Sequence, residues 1–152
     1  MSRARRLALA AIALVAVACT VPLTDAEVRA LVRHSASAGP EAKVVVLNAS
    51  NELASLTMVA DARGNGPIEP SRRLALGFAR AARAPVHYVV GGPYATLNDQ
   101  VLRDAFAICK EPRLPGLHVT LVSPDPPSEE LAKLARDYGA RLEHRIYLPP
   151  SA

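Results

Sequence analysis

The chain holds 152 residues, with 18 Lys+Arg against 14 Asp+Glu for a net charge of +4, and it is 50% hydrophobic and 4% aromatic. That length suits one domain able to bury a real core, and a 21% share of charged residues amid ample Leu, Val, Ile and Ala excludes wholesale disorder. Two cysteines exclude a disulfide-dense scaffold and a four-thiolate zinc site, and the lack of Trp argues against stacking platforms for single-stranded nucleic acid.

The N-terminus reads as an address. Arg3, Arg5 and Arg6 precede an unbroken apolar run of 12 residues, Leu7 to Ala18. A bilayer-spanning helix needs about 20, and the run closes on the small residues a signal peptidase requires. Ala16-Val17-Ala18-Cys19 resembles the lipobox of bacterial lipoproteins, in which the cysteine thiol takes a diacylglycerol and becomes the new N-terminus. The resemblance implies a signal peptide over 1–18, a lipid-anchored tether over 19–23 and a periplasmic domain over 24–152. Thr20, standing where inner-membrane lipoproteins carry Asp, implies the outer membrane. Ordinary signal peptidase is the alternative, and it would leave a soluble periplasmic protein. Loss of residues 1–18 leaves 15 Lys+Arg against 14 Asp+Glu, so the positive balance belongs to export and does not predict a nucleic-acid partner.

The elements follow in chain order. Thr24-Asp25-Ala26-Glu27 is a capping box opening a helix over about 24–36, ended by Ala38-Gly39-Pro40. Lys43 to Leu47 and Leu56 to Ala60 are rich in strand formers, and the turn residues Asn48 to Asn51 allow them to pair as a hairpin. Helices are then predicted over 71–83, 97–109 and 128–138, alternating with strands over 86–90, 117–122 and 142–148. Strands separated by helices predict βαβ units, hence an α/β domain with a mainly parallel sheet.

In such a sheet ligands gather beyond the carboxyl ends of the strands. Three segments qualify: Asp61 to Pro67, Gly91-Gly92-Pro93-Tyr94 leading to Asn98 and Asp99, and Ser123 to Pro127. Asp61, Arg63, Asn65, Tyr94 and Asp125 are the polar candidates there. Thr96 and Asp99 read as a further capping box. Arg72, Arg73, Arg80 and Arg83 fall on one arc of the helix over 71–83, as a solvated face or a contact surface for an anionic partner. His87, His118 and His144 sit near strand starts, where neighbouring strands can bring two together, but no metal-ligand spacing accompanies them. Cys109 falls on the apolar side of its helix as a small buried residue. No catalytic constellation and no cofactor motif stands out.

The segment Pro70-Ser71-Arg72-Arg73-Leu74-Ala75 is echoed by Pro127-Ser128-Glu129-Glu130-Leu131-Ala132, with His87 and His144 in matching positions. Asp61-x-x-Gly64 followed by Ser71-Arg72-Arg73 and a strand ending in Gly-Gly resembles OmpA-like peptidoglycan-binding domains. The resemblance implies that Asp61 and Arg72 or Arg73 grip the diaminopimelate of a peptide stem. A lipobox ahead of a small α/β domain is also similar to the CpaD-type lipoproteins of Tad pilus assembly. Together these readings lead to the expectation of a non-enzymatic envelope accessory factor with a protein partner. Peptidoglycan binding, or an enzyme using the loops after the strands, stands as the alternative.

Overall fold

A computed structural model describes residues 21–149, so the signal peptide expected over 1–18 and the lipidation expected at Cys19 lie outside the described residues. Four strands form one sheet in the order β1-β2-β3-β4: Lys43–Val46, Val86–Gly91, Leu117–Ser123 and Arg141–Ile146. Every neighbouring pair is parallel. Among the described residues five α-helices accompany them: α1 Asp25–Ala36, α2 Glu52–Asn65, α3 Glu69–Ala79, α4 Ala95–Ile108 and α5 Glu129–Asp137. The α/β class expected from the alternation is therefore the observed one.

The sheet has two unequal faces. On one, Val45, Tyr88, Val90, Val119, Leu121 and Leu142 meet α2 through α5, with Phe78, Leu102, Phe106 and Leu131 at the centre of the core. Phe78 packs edge-on against Tyr88 and tilted against Phe106, at centroid distances of 5.5 and 5.1 Å, a contribution beyond burial alone. On the other face α1 is the only helix among the described residues, burying Val28 and Val32 against Val44, Val46, Val89, Val122 and Tyr147. A strand order equal to the chain order explains the imbalance. Each right-handed crossover returns on the same side, so all connecting helices share one face.

α1 lies across the sheet at its carboxyl half. At its start Asn48, just beyond β1, donates to the Leu23 carbonyl at 2.9 Å. At its end Ser35 Oγ accepts from the Leu148 N–H at 3.1 Å, just beyond β4. The predicted capping box is present, with Glu27 accepting from the Thr24 N–H at 2.7 Å and Thr24 Oγ1 accepting from the Glu27 N–H at 3.3 Å. Ser37, in the left-handed region at φ 50°, ends the helix just before the predicted breakers.

Three expectations are corrected. The run Leu56 to Ala60 is not a strand, and no hairpin forms; it is the middle of α2. Asn51 caps that helix by accepting from the Ala54 N–H at 2.8 Å, and Ser55, Val59 and Ala62 face inward at helical spacing. The second correction is that Thr96 and Asp99 do not cap α4, which starts at Ala95 after Tyr94. The third is that the echoed Pro-Ser segments differ in place. Ser128 is the N-cap of α5, whereas Ser71 lies inside α3, whose N-cap is Ile68. Their matching histidines face opposite sides of the sheet, since His87 pairs in register with His118 while His144 pairs with Leu121.

Candidate functional site

At the carboxyl ends of the strands the backbone comes very close together. A Cβ on Gly91 would collide with the Val122 carbonyl, and one on Gly92 with that of Leu47. These glycines therefore serve strand-to-strand approach, where the sequence suggested ligand approach. Asn98, fully buried, ties the same loops: its Nδ2 donates to the Gly92 carbonyl at 2.9 Å and to Ser123 Oγ at 3.1 Å.

The polar candidates separate. Tyr94 and Asp125 do meet, lining an open depression of about 360 Å³ with Glu52, Ser55 and Leu56. Asp61, Arg63 and Asn65 are not on a loop but in the last two turns of α2. Asp61 accepts from Asn65 Nδ2 at 2.6 Å, an exposed i,i+4 link within the helix. Arg63 donates to Gln100 Oε1 at 3.0 Å and so ties α2 to α4.

Asp99 is the hub of a network the sequence reading missed. Its carboxylate accepts from the Ser128 N–H and Ser128 Oγ, both at 2.8 Å, and from Arg103 Nε at 2.8 Å. Arg103 reaches on to Glu130 at 2.8 Å. Beside it, burial pushes the Asp104 carboxyl above the ordinary aspartate value, although Gln100 donates to it at 2.9 Å. Of the groups offered for chemistry at this end, Arg63 and Asp99 thus join helices to one another.

The arginine arc is also divided. Glu69 accepts from Arg73 at 2.9 Å and from Arg72 at 3.2 Å, and these donors hold its carboxyl below the usual range. After Ala79 the helix tightens into a 3₁₀ turn over Arg80–Ala82, with Arg83 as its cap, so the stripe does not continue at helical spacing. Arg80 and Arg83 are exposed and make no ion pair among the described residues. Cys109 is half-buried at the end of α4 and only packs against the core, so its expected full burial is corrected.

The densest cluster of titratable groups lies on the half of the sheet that α1 leaves uncovered. Parallel register sets His87 opposite His118 and Arg141, with Thr120 opposite Glu143 one step along. The His87 and His118 rings stack at 4.1 Å between centroids and only 5° from parallel. His87 Nε2 is 2.9 Å from Thr120 Oγ1, and His118 Nε2 is 3.1 Å from Glu143 Oε2. Arg141 also donates to Glu143. Burial, with the adjacent His118, holds His87 below the ordinary histidine value. The donated bond from His118 leads the effects that hold Glu143 low. An open depression of about 380 Å³ runs beside the pair, lined also by Glu41 and Lys43.

The sequence anticipated that neighbouring strands could bring two histidines together. Thr120, Glu143 and Arg141 were the unseen partners, though strand alternation from the His118–Arg141 register would have located them. His144 is elsewhere, bonded through Nε2 to the Ser123 carbonyl at 3.0 Å. Among the described residues no group of three or more His, Cys, Asp or Glu side chains is placed to hold a metal ion.

The segment that carried the likeness to OmpA-like domains has another form here, because a helix stands where a strand was to lead into Asp61. Comparison of the chain with protein-family models, with curated proteins and with solved structures finds no match.

Proposed function

We propose that the chain is a lipoprotein of the bacterial envelope, anchored through Cys19 at the periplasmic face of the outer membrane. Its α/β domain acts as a non-enzymatic accessory or assembly factor of an envelope system of pilus or secretion type. The observation that carries this reading is the placement of Arg3-Arg5-Arg6, the apolar run and Ala-Val-Ala-Cys19 directly ahead of a domain whose first held residue is Leu23. Three residues, Thr20 to Pro22, separate the two. At about 3.5 Å for each of the four steps from Cys19 to Leu23, that tether spans roughly 14 Å at most, which keeps the domain against its membrane.

The state of the candidate groups supports an accessory role over chemistry in the loops. Asp99, Arg63 and Asn98 are engaged within the fold, and Tyr94 and Asp125 line only an open depression. The test is labelled palmitate in cells making the full chain. Label is expected on the native chain and lost in Cys19→Ser, which should then be recovered in the soluble periplasmic fraction. An unlabelled native chain would sink the anchor and leave the soluble alternative.

A further inference from the structure

The two edges of the sheet are finished differently. β1 has four residues, and Leu47 N–H bonds to Gly91, so alternation turns the main-chain groups of Val44 and Val46 outward. Arg29 of α1 reaches over that edge and donates to the Val44 carbonyl at 2.8 Å. The edge is blunted in the way natural sheets protect themselves.

Among the described residues β4 has no such cover. Tyr147 N–H bonds to the Ser123 carbonyl, so residues 141, 143 and 145 share its orientation toward β3. The N–H and C=O groups of Leu142, His144 and Ile146 then point away from the sheet. No described residue bonds to those outward groups. Ile146 is 62% exposed and Leu148, just beyond, 48%.

We propose that β4 is a self-association edge, pairing antiparallel with β4 of a second copy of this chain about a two-fold axis at His144. The side-chain pattern selects this register. With the axis at His144, Glu143 of each copy stands opposite Arg145 of the other, twice, and Leu142 stands opposite Ile146 on the helix-covered face. The outward groups of Leu142, His144 and Ile146 all find partners across the axis. An axis at Glu143 would oppose the two Glu143 carboxylates, and one at Arg145 would oppose two guanidinium groups. Like charges directly opposite destabilise a pair of strands. An axis at Leu142 would leave Ile146 outside the pairing.

The result is a continuous sheet of eight strands, in which the exposed Ile146 is covered. An axis normal to the sheet leaves both α1 helices on the same face. Both N-terminal tethers therefore leave from one side, which suits attachment to one membrane but does not depend on it.

Sedimentation equilibrium of the full chain tests the register, in a mild detergent that keeps the 7–18 segment from associating by itself. The native chain should form dimers at tens of micromolar. Arg145→Glu and Glu143→Arg should each weaken the dimer about tenfold or more, by replacing two attractive pairs with two repulsive ones. The double variant E143R/R145E should recover most of the loss. Ile146→Pro, which removes an outward donor without touching a bond to β3, should abolish the dimer while thermal unfolding stays cooperative. A native chain that stays monomeric at millimolar concentration overturns the proposal. So does a dimer that persists in Ile146→Pro, a double variant no tighter than the singles, or a monomer that takes an extended foreign peptide along β4 instead.

Discussion

At the scale of single residues, the stacked histidines give the molecule a defined response to acid. His87 is held below the ordinary value by burial and by His118, with Glu41 and Glu143 pulling the other way and Arg141 adding to the depression. The unfolded chain, with histidine near about 6.5, therefore binds more protons than the folded one. Stability present at neutral pH is lost as the pH falls below that value, through the lower folded pKa. Glu143, held low by its bond from His118, acts in the same direction in a lower window. Its share is present above the ordinary glutamate value of about 4.5 and fades as the pH drops through its own folded pKa. Thermal midpoints measured from pH 7.5 down to 5 should fall in the native chain. In His87→Phe, which keeps a ring against His118 but cannot titrate, the fall should be distinctly shallower. Equal slopes would show that His87 is not the group responsible.

At the scale of elements, the capping box at Thr24 and the strands opening at Val86 and Leu117 were legible, because local chemistry and tertiary environment agree there. α2 was not. Its Leu-Thr-Met-Val run has strand-forming composition, and its outward positions include Leu53, 74% exposed, so no clean apolar stripe marks the helix. Two signals were present: Asn51 as a cap, and Ser55, Val59 and Ala62 at helical spacing. They were weaker than the apolar run from Leu56 to Ala60 that overlaps them. If α2 depends on that cap, Asn51→Ala should cost about 1 kcal/mol of stability, read by urea unfolding with an unchanged slope. A change below a few tenths would place the start of the helix elsewhere. The same error explains the misplaced site. Once residues 56–60 are helix, Asp61, Arg63 and Asn65 leave the sheet edge and become parts of helix-to-helix and within-helix links.

At the scale of the whole molecule, a sheet wound in one direction carries four helices on one face and one on the other. The described chain begins on the single-helix side, at the start of α1, whereas α5 lies on the far face. Two layer spacings of about 10 Å each separate α1 from α5, more than the roughly 14 Å that the proposed anchor's tether from Cys19 spans, so on that proposal the α5 face stays away from the membrane. A bulky polyethylene-glycol maleimide should therefore react more slowly with Ala30→Cys on α1 than with Lys133→Cys on α5, in outer-membrane vesicles turned to expose the periplasmic face. The difference should vanish when Cys19→Ser releases the domain. Equal rates in the anchored protein would mean that the domain is not held close.

The sequence by itself determined the alternation of strands and helices and so the α/β class; the proposed address at the N-terminus is read from it alone. Those properties depend on neighbours along the chain, through periodicity, caps and composition. Only the tertiary structure decided that Leu56 to Ala60 is helical, that Asp99 clamps Ser128 and that His87 stacks on His118. It also decided that Arg29 closes one sheet edge while no described residue bonds to the outward groups of β4. The clamp, the stack and the closed edge depend on strand register or on groups distant along the chain, α2 on burying Ser55, Val59 and Ala62, and strand register is set by packing across the whole sheet.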